Sequence, residues 1–296
     1  MTIQQIKLPN HLKTNYLYLG DNLELMKSLE DNSIDLIYSD PPFFSQRNYT
    51  TTSKADNIER SFADIFNTLT DYLSFLQIRL IEMKRLLKST GSIYIHLDWH
   101  SVHYVKVIMD SIFGYDNFIN NIVWCYTGGG SSKKCFAKKH DDILLYSKSK
   151  NYTFNYGEVS IPYAKGTEVS TDEKTQKKYY LKSGNRYYIK RSGKILESWW
   201  IDIPNLNHNK LEDRHDYPTE KPRQLLERII KTSSNPGDIV ADFFGGSGVT
   251  ACESQKLGRK WITIDISENS VNLIKARLLG NNSINEQSYQ LPLNSY

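Results

Sequence analysis

Asp40-Pro41-Pro42-Phe43 closes the apolar run Ile34–Tyr38 and collects the groups needed to handle an aromatic amine. The exocyclic amine of a nucleic-acid base is a poor nucleophile, because its lone pair is delocalised into the ring. Two acceptors on its two N–H groups draw the nitrogen toward tetrahedral geometry and localise that pair. The Asp40 carboxylate supplies one acceptor. The Pro41 carbonyl supplies the other, held stiffly because both prolines restrict the backbone. Pro42 has no N–H with which to form a competing local bond. Phe43 offers a flat face on which a base taken out of a duplex could stack. A strand ending in a plain Pro-Pro turn with a packed Phe fits the same four residues.

A second group follows two hundred residues later. Asp242-Phe243-Phe244-Gly245-Gly246-Ser247-Gly248 has the pattern of a strand, a turn and the start of a helix. Glycines here allow a ligand to approach the backbone, and the helix N-terminus beyond them favours a carboxylate. Asp265 ends the next strand-like run, where nucleotide-binding α/β folds place an acidic residue for ribose hydroxyls. A nicotinamide cofactor suits such a turn as well, although the spacing departs from GxGxxG. The two groups together point to transfer from a nucleoside-containing donor to an amine.

Both groups need strand ends to hold them, and the patterning supplies these. Strand-like runs at 16–19, 34–38 and 92–97 alternate with helical spacing at 21–29, 65–87 and 102–112. The same alternation returns after Pro222, with helices over 225–231, 249–256 and 268–279 and strands over 238–242 and 261–265. This predicts a three-layer α/β fold of Rossmann-like type, with a mostly parallel sheet. Ligands of such sheets sit at the carboxyl ends of the strands.

Between the two patterned regions the character changes. Residues 126–222 hold 18 Lys/Arg against 12 Asp/Glu, whereas the whole chain of 296 residues carries only +4. After the flexible Gly128–Ser132 come short segments rich in Tyr, Lys, Thr and Ser, and 178–190 reads as a hairpin about Ser183-Gly184-Asn185. The organisation expected is therefore 1–125, the catalytic half; 126–214, an inserted strand-rich basic module; 215–280, the donor-binding half; and 281–296, a tail. A basic module suits a polyanion, with Lys133, Lys134, Lys138, Lys139, Lys178, Arg186, Lys190 and Arg191 as candidate contacts to double-stranded DNA. A solvated basic surface is the plain alternative for each.

At these residues the chain resembles the β-class amino-methyltransferases of DNA, in which a DPP[YF] motif precedes the target recognition domain and an FxGSG motif follows it. Asp40–Phe43, the insertion and Phe244–Gly248 keep that order. Leu19-Gly20-Asp21-Asn22, His96-Leu97-Asp98, Lys139-His140-Asp141, Trp199–Pro204 and Tyr217–Pro222 also resemble family segments. The similarity covers most of 15–280 and thins across 150–195. It implies S-adenosyl-L-methionine as cofactor and N6 of adenine as target, since an aspartate in DPP[YF] usually accompanies adenine and a serine cytosine N4. It further implies that Asp40, Pro41, Pro42 and Phe43 handle the base, that Phe244, Gly245, Gly246, Ser247 and Gly248 wrap the donor's methionine, and that Asp242 belongs to the cofactor site. Asp265 would take the ribose, Thr219 and Lys221 would lie near the methionine carboxylate, and Asp21 near the donor adenine. Relatives often carry Asn-Thr-Gly after the motif, where this chain has Phe44-Ser45-Gln46. A cognate restriction endonuclease and a second copy of the chain are partners compatible with the resemblance.

The remaining reactive residues suggest less. Cys125, Cys135 and Cys252 lack CxxC spacing and indicate neither a disulfide framework nor a zinc site. His96, Asp98, His100 and His103 could form a metal set, but helix-facing or surface histidines fit better, and no metal is expected. His140-Asp141-Asp142 reads as a structural hydrogen-bonding group, and Trp199-Trp200 as packing between insertion and core. Met1–Asn10 shows no signal pattern and no apolar run is long enough for a bilayer, so a cytoplasmic protein is expected. Functional alternatives are methylation of cytosine N4, of RNA or of a protein amide, a DNA-binding module without catalysis, and a dehydrogenase.

Overall fold

The computed structural model describes residues 15–52, 59–128, 133–160, 169–188, 195–206, 217 and 219–280. The elements run β1 (Tyr16–Leu19), α1 (Asn22–Lys27), β2 (Ile34–Ser39), β3 (Arg47–Thr52), β4 (Glu59–Asp64), α2 (Leu69–Leu86), β5 (Leu87–Leu97), α3 (Val102–Phe113), β6 (Phe118–Cys125) and β7 (His140–Ser147). They continue with β8 (Val169–Thr171), β9 (Lys178–Lys182), β10 (Asn185–Tyr188), β11 (Trp199–Trp200), α4 (Arg223–Ser233), β12 (Ile239–Asp242), α5 (Val249–Lys256), β13 (Lys260–Asp265) and α6 (Glu268–Gly280).

One eight-stranded sheet has the order β1-β13-β12-β2-β5-β7-β6-β11. Its run from β1 through β13, β12 and β2 to β5 pairs in parallel, and β7 is antiparallel to both of its neighbours. Central β2 is buried along almost its whole length, which explains its unbroken apolar run rather than an alternating one. Successive side chains still face opposite layers. Ile37, Ile93, Ile95 and Ile262 pack against α1, α2 and α3. Leu36, Tyr38, Tyr94 and Val240 pack against α4 and α5, and Leu17 and Trp261 pack against α5 and α6. The result is the expected three-layer, mostly parallel α/β architecture.

The structure corrects several expectations. The helix expected from residue 65 starts at Leu69, because Thr68 and Asp71 form a reciprocal capping box. The residues before it form instead an antiparallel hairpin, β3–β4, which no alternation in the sequence announces. Strand β6 is likewise additional to the expected set. The segment 126–214 is not wholly separate from the sheet: β7 sits between β5 and β6, and β11 pairs with β6. The part that forms a sheet of its own is β8–β10, and its hairpin turns on Ser183-Gly184 alone, with Asn185 already paired to Lys182. Among the described residues no helix is long and apolar enough to cross a membrane.

Candidate active site

Asp40 follows the last residue of β2, and Asp242 ends the neighbouring β12. Their loops therefore leave the same edge of the sheet. A cavity of ≈ 410 Å³ opens there, lined by Asp40–Phe43 on one side and Phe243–Ser247 on the other. Asp21, Thr219, Lys221, Asp242 and Asp265 line it as well. The aspartate-proline corner and the glycine turn thus share one space. A second cavity of ≈ 290 Å³ adjoins it through Phe43, Tyr49, Thr219 and Lys221, and is walled by Asp98, Trp124, Tyr126, Asp141 and Asn205.

Lys221 holds Asp40. Lys221 Nζ lies 2.5 Å from its Oδ2, and the same ammonium stands 5.2 Å from the centre of the Phe43 ring. Oδ1 is buried and has no hydrogen-bond partner among the described residues. A buried carboxylate oxygen in that state is costly unless a ligand donor meets it. Lys221, which the family resemblance assigns to the donor's carboxylate, is in this structure a partner of the aspartate.

The loop after Phe43 is organised by a residue that sequence reasoning missed. The backbone N–H groups of Phe43, Phe44 and Ser45 all donate to the Asp64 carboxylate, at 3.1, 2.8 and 2.8 Å. They converge because Phe44 has φ of +64°, an uncommon left-handed value for a non-glycine residue, which folds the backbone into an anion-binding nest. Asp64 ends β4, so the hairpin sets its position under the loop. Its sequence signal is slight, one of three acids, with Asp56 and Glu59, in the twenty-one residues after the motif.

His96 is the second missed residue. A helix face or the surface is its expected place, and it is fully buried. Ile95 pairs with Ser39, which sets His96 level with Asp40. Its ring stacks on Phe43 at 6.0 Å and 15°. Nδ1 bonds the Tyr38 hydroxyl at 2.9 Å and Nε2 bonds Asp141 at 3.0 Å, while Tyr126 donates to the other Asp141 oxygen at 2.9 Å. Burial would raise the Asp141 carboxyl, but His96, Lys221 and Tyr126 outweigh it and hold it below its ordinary range. Phe43 therefore rests on a hydrogen-bonded floor in which its own ring plane is fixed.

The glycine half is equally determined. Gly246 has φ of +52° and gives its N–H to Asp265 at 2.8 Å, and Ser267 N–H binds the other Asp265 oxygen at 2.8 Å. Burial raises the Asp265 carboxyl despite these donors. Gly248 does not line the cavity. It has φ of +78°, and a Cβ there would come within 2.6 Å of Ile274, so its role is to let α6 pack against the turn. Asp242 accepts from Phe244 N–H and the Thr250 hydroxyl, and burial pushes its carboxyl up to about 8. Asp21 caps α1 and pairs with Arg79 at 2.9 Å; Arg79 in turn binds Asn22, whose amide donates to the Phe243 carbonyl. Glu220 and Arg277, exposed by 3% and 1%, pair at 2.8 Å, and Arg277 also donates to the Ser247 carbonyl.

The basic candidates are dispersed. Lys133, Lys134 and Lys138 are exposed on the β6–β7 connection, with half-buried Lys139 beside them, while Lys178 and Arg186 are exposed on β9 and β10. Lys190 and Arg191 lie outside the described residues.

The DNA methylase family model, N6_N4_Mtase, matches residues 34–276, which spans both halves of this site. The chain belongs to the DNA methylase family. This methylase is 34% identical over 281 residues to the type II methyltransferase M.HpaI of Haemophilus parainfluenzae, covering 93% of this chain and 79% of that one. It is 31% identical to the DNA adenine methyltransferase YhdJ of Escherichia coli K12, over 88% of this chain and 81% of the relative. Its fold matches the cytosine-N4-specific PvuII DNA methyltransferase with a TM-score of 0.62 at 20% identity, over 90% and 86% of the two chains. It also matches the Thermus thermophilus modification methylase TTHA0409, solved with S-adenosyl-L-methionine, with a TM-score of 0.58 at 20% identity over 90% and 93%. The methylase is a DNA methyltransferase in which both motif groups border one cavity.

Proposed function

We propose that this methylase transfers a methyl group from S-adenosyl-L-methionine to N6 of an adenine flipped out of double-stranded DNA at a specific sequence. The observation that carries the reading is the single cavity shared by Asp40–Phe43 and the Phe243–Ser247 turn, with Asp40 Oδ1 left for a donor. Its volume lies in the range of small-molecule sites. Asp40 beside it suits a cationic sulfonium, and the Asp265 carboxylate suits ribose hydroxyls, so the residues present fit the donor. When bound, the donor supplies an electrophilic methyl group.

The chain's own residues do the rest. Phe43, fixed on the His96 ring, stacks the extruded base and offsets part of the roughly few kcal/mol that unstacking costs. Asp40 Oδ1 and the Pro41 carbonyl accept the two amine N–H groups and leave the lone pair free for the methyl. Lys221 occupies Oδ2 and so directs the amine to Oδ1. Rate gain comes chiefly from alignment and preplaced acceptors. Thr219, Phe244, Gly245, Gly246 and Ser247 surround the donor's methionine, and Asp21 its adenine. Residues before 126 and after 214 carry these two halves, and the segment between them, with Lys178 and Arg186 on β9–β10, supplies the DNA-reading surface.

Adenine is favoured over cytosine because the motif carries Asp40 rather than a serine, and because YhdJ is an adenine methyltransferase. The type II relatives suggest a cognate restriction endonuclease and a cytoplasmic setting. Nucleoside mass spectrometry on DNA from a host expressing the protein tests the reading. N6-methyladenine is expected; N4-methylcytosine in its place would transfer the function to cytosine, and neither would end it.

A further inference from the structure

Phe136 is 97% exposed, more than any other large apolar side chain among the described residues. An unburied phenyl ring in water is unfavourable, and no described residue of this chain covers it. It lies in Lys133-Lys134-Cys135-Phe136-Ala137-Lys138-Lys139, four cations in seven residues with no acid. A lone apolar tip among cations fits a surface that is polyanionic outside and aromatic inside.

The position of the loop narrows the choice. It joins β6 to β7, and Cys125 pairs with His140, so both ends leave the sheet together. β7 pairs with β5 so that Asp142 meets Leu97, which places the loop at the sheet edge that carries Asp40. Its neck is closed by the Tyr126 N–H donating to the Lys139 carbonyl at 3.0 Å. Its second half is pinned by Lys138 Nζ, 3.1 Å above the Trp99 ring, which itself stacks on His100 at 3.7 Å. Tyr126, at the start of the loop, is a wall of the second cavity, alongside Phe43 and Asp141. The exposed ring thus stands on a loop rooted at a cavity that shares Phe43 with the one proposed for the target base.

We propose that Phe136 is a wedge that enters the duplex stack at the step the target base vacates, while lysines of the same loop meet the flanking phosphates. An apolar side chain inserted between base steps compensates for lost stacking. Lysines on the phosphates fix its register but read no sequence. The wedge rests on the reading of this chain as a base-flipping DNA methylase. It adds to that reading the group that fills the hole in the helix, on a different loop from the one that receives the base.

The test compares Phe136→Ala and Phe136→Leu with the unaltered protein. Substrates are a duplex carrying the methylated site, mapped by sequencing host DNA, and the same duplex mispaired at the target base. Phe136→Ala is expected to lower kcat/KM on the paired duplex at least about tenfold, and to stay within about threefold of the unaltered protein on the mispaired one, where flipping is cheaper. Phe136→Leu should keep most activity on both, and donor affinity should not change. Full activity of Phe136→Ala on the paired duplex, or an equal loss on both duplexes, overturns the wedge and leaves the methylase reading intact. An unaltered protein that methylates neither duplex would bring down that reading and the wedge with it.

Discussion

Lys221 Nζ sits 2.5 Å from Asp40 Oδ2, joining residues 181 positions apart across the two halves of the site. The pair is largely removed from solvent, so neither charge is well served by water when the other is lost. Asp40→Ala should abolish turnover by at least about a thousandfold while donor binding persists. Rapid-quench methylation and calorimetric donor titration together check it. Lys221→Met separates two roles for the lysine. Acting through Asp40, it should lower kcat about tenfold or more with donor Kd shifted less than about threefold. A large loss of donor affinity with kcat unchanged would return it to the methionine carboxylate.

Asp64 collects three backbone N–H groups from the loop that carries Phe43. Bonds to a charged acceptor contribute about 1.5–3 kcal/mol each, and the three are not additive. Asp64→Ala should therefore loosen the loop and reduce methylation by about a hundredfold at constant donor affinity. Unchanged kcat/KM for DNA would show that the nest has no part in holding the base.

The Glu220–Arg277 pair is buried on both sides, so solvent cannot readily replace a missing partner. Arg277→Met should destabilise the fold by about 3 kcal/mol in urea denaturation, because it removes a cation from beside a buried carboxylate. It should also weaken donor binding, since Arg277 holds the Ser247 carbonyl at the glycine turn.

Asp242 gives a pH signature. Burial raises its carboxyl from 3.8 to about 8, so in that interval the folded chain holds a proton that the unfolded chain has lost. Stability from this group is complete below the unfolded value and declines as pH rises toward 8. Asp242→Asn should flatten the stability profile between about pH 4 and 8. Thermal melts across that range, for both proteins, read the difference directly.

What the sequence made legible was local. Asp40–Phe43 and Phe243–Gly248 each sit where a strand meets a turn, and the apolar pattern of β2 and β12 announces both. Asp64 was not legible, because its partners are backbone groups twenty residues earlier and a backbone N–H leaves no mark on composition. His96 looked like one of several histidines after a strand. Only the register of β5 on β2 buries it under Phe43, and register is a property of two strands, not one. β7 reads as part of the insertion because its neighbours in sequence are loop-like, although its neighbours in space are β5 and β6.

β2 and β12 lie side by side although about two hundred residues separate them along the chain. Their union is made by hydrogen bonds and shared core, and the covalent path between them acts only as a tether. Doubling the length of a tether adds only about 0.6 kcal/mol of closure entropy. The stretch between them can therefore be lengthened, shortened or exchanged while the two strand ends and the cavity they border stay in place. Replacing that stretch should leave the junction of β2 and β12 intact, so the cavity outlasts changes in the chain that joins its two walls.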